Sequence, residues 1–373
     1  MSHLRLVRVL FAFGVVGIAG LMSAGPAPSV AQPITPQIGG CSVFPIDNIW
    51  NARVDSLPVD THSGDYINSI GPSTTLHPDF GTFYQNAPSG IPFAVVSSTQ
   101  PTVPIAFFPL PDGNAGESDP GPMPIPPDAP VEGGDTSTGD RHVLVVRQGE
   151  CKLYELFNAH KGSDNSWTVS SSAVYDLNSN ALRPDSWTSA DAAGLPMLPG
   201  LVRYDEVKSG AINHAIRFTV NISQKSYVWP GRHYASNNTS LTRPPMAQRF
   251  RLKASVDISA FPTDIQVIFT AFKRYGIIVA DNGSDWYISG AHDTRWNDDL
   301  LVTNFRKLKG SDFEAVNVSS LMVNKDSGQV KGAVPSPTRT PIGGTATPQP
   351  TAGPSPTPPM NVTPRAYIPL VRR

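Results

Sequence analysis

Proline and glycine recur throughout this chain and separate its apolar residues into short stretches. There are 38 prolines and 31 glycines among 373 residues, whereas charged residues make up only 16%. This composition is typical of a rigid, loop-rich extracellular β protein rather than a helical cytoplasmic one. The net charge is close to zero, with 29 basic and 30 acidic residues. Neither a nucleic-acid partner nor an anionic membrane surface is therefore predicted.

The amino terminus has the layout of a secretory signal peptide. Arg5 and Arg8 precede an apolar stretch from Val9 to Met22, and small residues ending at Ala31 follow. We therefore predict a signal peptide over residues 1–31 and a secreted or cell-envelope location. The apolar stretch is shorter than the roughly 20 residues that span a bilayer, so the mature chain should have no transmembrane span. An uncleaved membrane anchor is the alternative.

The carboxyl terminus differs in composition from the body. From Pro335 to Pro364 the chain consists mainly of Pro, Thr, Ser, Gly and Ala, which predicts an extended linker over residues 334–365. Residues 366–373 form a short apolar and basic tail that resembles the ending of some bacterial secreted proteins. A docking role and a plain disordered end are both consistent with it. Residues 32–40 are an N-terminal segment, and residues 41–333 are predicted to form one β-rich domain.

Short apolar runs bounded by turn residues predict strands. Residues 142–146 and 153–157 flank a turn and predict a hairpin. Residues 277–280 and 286–288 flank Asp281-Asn-Gly-Ser, and they predict a second hairpin because Asn-Gly accepts positive φ.

Two segments have the pattern of helices. One begins at Thr263, a candidate N-cap with Gln266 three residues on, and ends at Gly276. The other covers about residues 298–308. Strands and helices together favour a mainly β, β-sandwich or jelly-roll-like single domain with a few peripheral helices.

The mature chain contains two cysteines, Cys41 and Cys151. In an oxidising compartment they can form a disulfide that closes a large loop. The sequence leaves the pairing open, because an unpaired cysteine also behaves as a small core residue.

Polar and aromatic residues are concentrated between Asp185 and Arg217. His214 is the first catalytic candidate, because a strand histidine near carboxylates can act as a base around neutral pH. A half-buried histidine bonded to the backbone is the alternative. Asp191 is the second candidate, with a carboxylate in the first turn of a helix capped by Ser189 as the alternative. On a regular strand His214 and Arg217 would face opposite sides.

Asp285 is the third catalytic candidate. It follows the Asn-Gly turn, where aspartate is also favoured for conformational reasons alone. Aromatic rings beside polar groups are typical of carbohydrate sites, although such rings also fill cores. The candidate substrate-binding residues are Trp187, Arg203, Arg217, Trp229, His233 and Trp286.

Neither a metal site nor a cofactor is predicted. The acidic loop of residues 112–119 leaves calcium as an alternative, although it lacks the glycine placement and terminal glutamate of an EF-hand. Asp140 and His142 would share one strand face, but no serine or cysteine motif accompanies them. The sequence has no Gly-x-Ser-x-Gly, His-Glu-x-x-His, Cys-x-x-Cys, phosphate-loop or dinucleotide motif. These absences argue against zincin proteases, nucleotide enzymes and typical ester hydrolases.

Three runs resemble an uncharacterised group of secreted bacterial proteins. They are His77-Pro-Asp-Phe-Gly81, Arg183-Pro-Asp-Ser-Trp-Thr-Ser-Ala-Asp191 and Ala280-Asp-Asn-Gly-Ser-Asp-Trp286. The resemblance covers most of the body but not the linker, and it implies neither an activity nor catalytic residues.

These features favour a secreted carbohydrate-active protein whose partner is a polysaccharide or a cell-surface glycan. A glycoside hydrolase is the first hypothesis, because candidate acids are numerous and such an enzyme needs two carboxyl groups about 5–10 Å apart. A polysaccharide lyase that uses His214 with Tyr227 or Arg217 is one alternative. A non-catalytic module that binds glycan or a protein partner is the other.

Overall fold

The computed structural model describes residues 35–332. The predicted signal peptide, linker and tail lie outside these described residues. Within them, short strands outnumber helices. The strands are β1 (Gln37–Ile38), β2 (Cys41–Ser42), β3 (His77–Asp79), β4 (Phe83–Tyr84), β5 (Ala87–Pro88), β6 (Phe93–Val96), β7 (Ile105–Phe107), β8 (Val143–Arg147), β9 (Lys152–Phe157), β10 (His160–Lys161), β11 (Trp167–Val169), β12 (Ser171–Asp176), β13 (Ile216–Val220), β14 (Arg249–Leu252), β15 (Ile277–Asn282), β16 (Tyr287–Ser289) and β17 (Phe313–Val316). The helices are α1 (Ser63–Ile70), α2 (Tyr204–Ser209), α3 (Thr263–Arg274) and α4 (Asp298–Phe305).

A six-stranded mixed sheet has the strand order β17-β14-β15-β13-β16-β3. β15 is parallel to β13, whereas β16 pairs antiparallel with the other edge of β13. The hairpin predicted around the Asn-Gly turn is therefore wrong, because β13 lies between the two strands. Neither Asn282 nor Gly283 adopts positive φ, whereas Trp286 does, at 60°. A local turn preference was outweighed by pairing with a strand distant in sequence.

A four-stranded sheet has the order β12-β9-β8-β6. Its β8 and β9 form an antiparallel hairpin, which confirms the first hairpin prediction. Leu144 and Val146 face the large core shared with the six-stranded sheet. Val143 and Val145 face a second core that contains Trp167. Because both faces of β8 are covered, its sequence is a continuous apolar run rather than an alternating one.

The two helices predicted from sequence are present. α3 buries Ile265, Ile268 and Phe272 and contacts β14, and it ends before Gly276. Gly276 has φ of 74°, and a Cβ atom there would lie 2.2 Å from the Phe250 carbonyl oxygen. Glycine is required at this position for both reasons.

The predicted cap of the first predicted helix, α3, is wrong. Thr263 is the first residue of α3, and no side chain caps this helix. The Gln266 side chain instead donates to the carbonyl oxygens of Ser259 and Phe261. The Asn297 side chain caps α4 by accepting the Leu300 N–H at 2.9 Å. The polar residues near the start of α3 thus predicted where the helix begins, but they did not predict how its first N–H groups are bonded.

A disulfide joins Cys41 to Cys151 across a sequence separation of 110 residues, which confirms the predicted pairing. It connects the β1–β2 pair to the turn that precedes β9. Ile38, in β1, is itself buried in the large core. The N-terminal strand pair is therefore attached to the body by a covalent bond and by core packing.

The prediction of a mainly β domain with a few helices is confirmed. Several strand pairs are parallel: β13 with β15, β16 with β3, β6 with β8, and β11 with β7. Parallel neighbours require long connections, which periodicity along the sequence does not reveal. None of the helices in residues 35–332 combines the length and apolar character that crossing a bilayer requires.

Candidate functional site

The chain from Ser189 to Leu198 lies between the two sheets and bonds to both; we call residues 189–198 the bridging segment. On one side the Ser171 hydroxyl of β12 donates to the Ser189 carbonyl oxygen at 2.8 Å. On the other side the Ala193 N–H donates to the Ala280 carbonyl oxygen of β15 at 3.0 Å. Polar side chains from both sheets therefore meet around this segment.

Asp191 and Arg217 form a buried ion pair at the centre of this region. They are only 1% and 4% exposed. Arg217 Nε lies 3.1 Å from Asp191 Oδ2 and Nη2 lies 2.9 Å from Oδ1, while Nη1 donates to the Ser289 hydroxyl at 2.8 Å. No helix follows Ser189, so the helix-capping alternative for Asp191 is wrong. The structure brings these two predicted site residues together.

A β-bulge directs Asp281 toward the same place. Arg217 pairs with Ile278 and Thr219 with Asp281, so Ala280 is an extra residue in β15. Without it, strict alternation would put Asp281 on the face opposite Ile278 and Arg217. The bulge turns Asp281 onto the face of Arg217, a role that bulges often have beside functional sites.

Three carboxyl groups of this cluster have raised pKa values, and for Asp191 burial outweighs the lowering effect of Arg217. Burial raises the pKa of Glu155 to about 7, although the carboxylate accepts the N–H groups of Met197 and Leu198 at 2.9 Å. Burial and then the neighbouring charge of Asp191 raise the pKa of Asp281 to about 7. Glu155 and Asp281 are therefore each partly protonated near neutral pH. Asp281 is only partly buried.

Glu132 and His142 form a second ion pair beside the first. His142 is 3% exposed; its Nδ1 lies 2.6 Å from Glu132 Oε2 and its Nε2 lies 3.1 Å from the Ala190 carbonyl oxygen. Burial alone would lower the pKa of His142, but the Glu132 carboxylate outweighs it and raises that pKa to about 9. In turn the imidazolium outweighs the burial of Glu132 and holds its pKa below the usual range.

The cluster thus contains carboxyl groups whose pKa values are displaced in opposite directions. The charges of Asp281 and Glu132 both act on the Arg217 guanidinium. Asp281 keeps its proton until about pH 7, whereas Glu132 is ionised well below that pH. Both are partly exposed, and the neighbouring Asp140 is exposed. Acid–base catalysis needs one carboxyl group that keeps its proton and one that is ionised at the same pH.

His214 and Arg203 belong to a different buried set. His214 is 0% exposed; its Nδ1 lies 2.7 Å from the Ala215 carbonyl oxygen and its Nε2 lies 3.1 Å from Glu206 Oε2. Arg203 Nη2 donates to Glu206 Oε1 at 2.5 Å. Burial would raise the pKa of Glu206, but the charge of Arg203 holds it below the usual range. These side chains are bonded to one another and to the backbone inside the protein.

Among residues 35–332, no hydrogen bond, ion pair or ring contact joins Trp286 or Asp285 to the cluster. The fully buried Trp286 ring packs between Phe218 and Phe313, with centroid distances of 5.5 and 5.4 Å. The Asp285 carboxylate accepts the Asn221 N–H at 2.7 Å. Trp286 therefore contributes to the core, and Asp285 fixes the loop between β15 and β16.

The remaining predicted binding residues are partly exposed, and His233 contacts the bridging segment. His233 Nδ1 is 3.1 Å from the Ala192 carbonyl oxygen. The Trp187 ring lies 5.6 Å from the Arg183 guanidinium carbon, and Trp229 Nε1 donates to the Ser327 carbonyl oxygen at 2.8 Å. These half-buried rings offer aromatic surface to solvent.

The acidic loop considered for calcium is already bonded to protein groups. The Asp119 carboxylate pairs with the Arg183 guanidinium and accepts the Val174 N–H. The Asn114 side chain donates to Glu117 at 3.0 Å. The Asp119 and Glu117 carboxylates are thus bonded to a guanidinium and an amide, so they are not arranged as a set of free oxygen ligands for calcium.

The Asp281→Asn variant is expected to be more stable than the wild type at alkaline pH. The pKa of Asp281 is raised from an ordinary value near 3.8 to about 7, so the stability linked to its proton is complete below pH 4 and lost as the pH rises through 7. Asparagine resembles the protonated form, so we expect a gain of about 1–3 kcal/mol at pH 8.5 and little change at pH 4. Urea unfolding at both pH values measures this difference, and a less stable variant at pH 8.5 would contradict it.

Four residues of this cluster were not among the predicted site residues: Glu132, His142, Glu155 and Asp281. Of these, Asp281 had been considered only for its place beside the Asn-Gly turn, and His142 only as a strand neighbour of Asp140. One signal was present, because Glu155 interrupts the apolar run of residues 153–157 and shares its face with buried neighbours. A charged residue inside such a run indicates a buried polar site. The role of Asp281 depends on the bulge, which has no sequence signature here.

No protein-family model, curated protein or solved structure matches this chain. The site is therefore interpreted from its own chemistry.

Proposed function

We propose that this protein is an exported glycoside hydrolase in which Asp281 is the proton donor and Glu132 is the ionised carboxylate. The observation that carries the proposal is that both carboxyl groups act on the Arg217 guanidinium while their pKa values are displaced in opposite directions. Glycosidic cleavage needs one protonated and one ionised carboxyl group in the same site. The buried Asp191–Arg217 pair would act as a positioning unit that keeps the local charge fixed.

The proposed reaction is hydrolysis of a glycosidic bond. Asp281 gives its proton to the glycosidic oxygen as the bond from that oxygen to the anomeric carbon breaks. The oxygen of a water molecule bonds to the anomeric carbon, and its proton passes to Glu132. Activity should fall as the pH rises above about 7, because Asp281 then loses the proton that it donates.

Export is supported by two independent features. The predicted signal peptide at residues 1–31 is one of them. The Cys41–Cys151 disulfide is the other, because such bonds form and persist in oxidising compartments. A secreted or envelope-associated hydrolase would meet polysaccharides or cell-surface glycans as its substrates.

A non-catalytic glycan-binding module is the second candidate. It is favoured by the half-buried Trp187 and Trp229 rings and by Tyr227, whose hydroxyl donates to Asp185 at 3.0 Å. Aromatic faces beside charged hydrogen-bonding groups suit sugar rings. In the hydrolase these rings would bind substrate next to the bridging segment.

The test is a polysaccharide panel scored for new reducing ends and for the absorbance of unsaturated products. Asp281→Asn and Glu132→Gln should each reduce hydrolysis by on the order of 100-fold or more. The matched control is Asp257→Asn, which changes an exposed aspartate that accepts the Ser259 N–H, and it should keep wild-type activity. Because Asp281→Asn should not lose stability, unfolding would not explain its loss of activity.

The outcomes separate the hypotheses. Equal activity of Asp281→Asn and the wild type would overturn the proposal. Unsaturated products would indicate a lyase instead. Retention of a polymer on an affinity gel without cleavage would indicate the binding module.

A further inference from the structure

Glu132, Asp140 and His142 converge on one point beside the acid–base pair. Each offers one ligand atom, and these atoms all lie within 4.8 Å of one another. Donors about 2.0–2.2 Å from one tetrahedral metal ion would be roughly 3–3.6 Å apart. Small side-chain rotations would therefore be enough to bring all three atoms to a common ion.

The imidazole of His142 is fixed in the orientation that a metal ligand needs. Its Nε2 lies 3.1 Å from the Ala190 carbonyl oxygen, which is outside the trio, while Nδ1 points to Glu132. An Nε2–H bond to that carbonyl leaves the Nδ1 lone pair directed at the Glu132 carboxylate. Metal-binding histidines commonly donate their other N–H group to a carbonyl or carboxylate in this way. Burial of the ring keeps it from turning away.

We propose that Glu132, Asp140 and His142 bind one divalent transition-metal ion, for which Zn²⁺ is the best fit. An imidazole nitrogen with two carboxylate oxygens suits zinc, whereas calcium and magnesium prefer oxygen ligands only. Three protein ligands leave one position open. That position can face solvent, because Asp140 is exposed.

The charge of the surrounding cluster favours an added cation. Five carboxyl groups, those of Glu132, Asp140, Glu155, Asp191 and Asp281, interact electrostatically with the cationic side chain of Arg217 or of His142. In the metal-free protein a proton on His142 bonds to Glu132. The ion would replace that proton, so the charge of the trio would rise by one unit only.

Metal binding itself does not depend on hydrolysis, whereas the role of the ion in catalysis rests on the proposed function. An ion bound by the trio would hold a water molecule at its open position, and that water would be the one that attacks the anomeric carbon. Zinc supplies such water at neutral pH in other hydrolytic sites.

The experiment measures zinc binding to the metal-stripped full protein by competition with a coloured chelator. Asp140→Asn is the main variant, because an exposed side chain can change without disturbing the core, and His142→Gln is the second. The control is His62→Gln, whose exposed Nδ1 lies 3.4 Å from Asp65 in a simple two-residue pair. Cobalt binding, followed by visible absorbance, provides a second readout of the coordination geometry.

We expect one zinc ion per wild-type chain and per His62→Gln chain, with much weaker calcium binding. Asp140→Asn should bind zinc at least about 10- to 100-fold more weakly, since even outer-shell changes cause losses of that size. Absence of stoichiometric zinc binding, or equal affinity in Asp140→Asn, would overturn the inference. Zinc binding without any polysaccharide cleavage would leave the metal site in place and overturn the proposed function. Polysaccharide cleavage by a protein that binds no zinc would support the proposed function and overturn the metal site.

Discussion

Arg217→Met is expected to lower the free energy of unfolding by about 3–5 kcal/mol at pH 7, because it leaves Asp191 as an uncompensated buried charge. Asp191 is almost completely buried, and Arg217 contacts both of its carboxylate oxygens. Burial already raises the pKa of Asp191 despite this partner. Without Arg217 the carboxyl group would take up a proton more readily, so the loss of stability should shrink as the pH is lowered.

A matched control separates this effect from ordinary loss of an ion pair. Arg295 also contacts two oxygens of one aspartate, Asp293, but its side chain is 51% exposed. Arg295→Met should cost far less than Arg217→Met, because solvent screens an exposed ion pair. The double variant Arg217→Met/Asp191→Leu removes both buried charges and should regain most of the stability. Urea unfolding compares these variants with the wild type, and equal losses for Arg217→Met and Arg295→Met would refute the assignment.

Removing the disulfide is the change with the second large expected effect. The Cys41–Cys151 bond closes a loop of 110 residues, for which loop entropy predicts a contribution of about 4–5 kcal/mol. Native-state relaxation commonly reduces such values, so we expect the Cys41→Ser/Cys151→Ser variant to be less stable by about 2–5 kcal/mol. Serine at both positions avoids a reactive free thiol.

The measurement compares thermal unfolding of the wild type and the variant with and without a reducing agent. Reduction should lower the midpoint of the wild type to that of the variant and leave the variant unchanged. If the two proteins unfold alike before reduction, the bond has little effect on stability and the loop-entropy argument does not apply here.

Local patterns predicted local elements well. The apolar runs around residue 149 gave the β8–β9 hairpin, and amphipathic spacing gave α3. The pairing of β15 with β13 could not be predicted in this way, because the 56 residues between the ends of these strands carry no register information. The Asn-Gly turn was misleading for the same reason, since turn preference concerns four residues and partner choice concerns the whole sheet.

The candidate site was predicted only in part. Asp191 and Arg217 were selected from one polar stretch, and they do form a pair. Glu132, Glu155 and Asp281 come from three other regions of the chain, and only tertiary structure brings them together. His214 was selected for its neighbouring carboxylates, one of which it does contact, but that contact is inside the protein. Secretion, carbohydrate substrates and the resemblance to secreted bacterial proteins stay predictions.

The site is complete only when the bridging segment and both sheets are in place. Glu155 comes from one sheet and Arg217 and Asp281 from the other, and the segment between them supplies Asp191. A partly folded chain with only one sheet formed would keep these side chains in water, where they titrate like free amino acids. The shifted proton affinities would then appear only when the two sheets pack against the bridging segment.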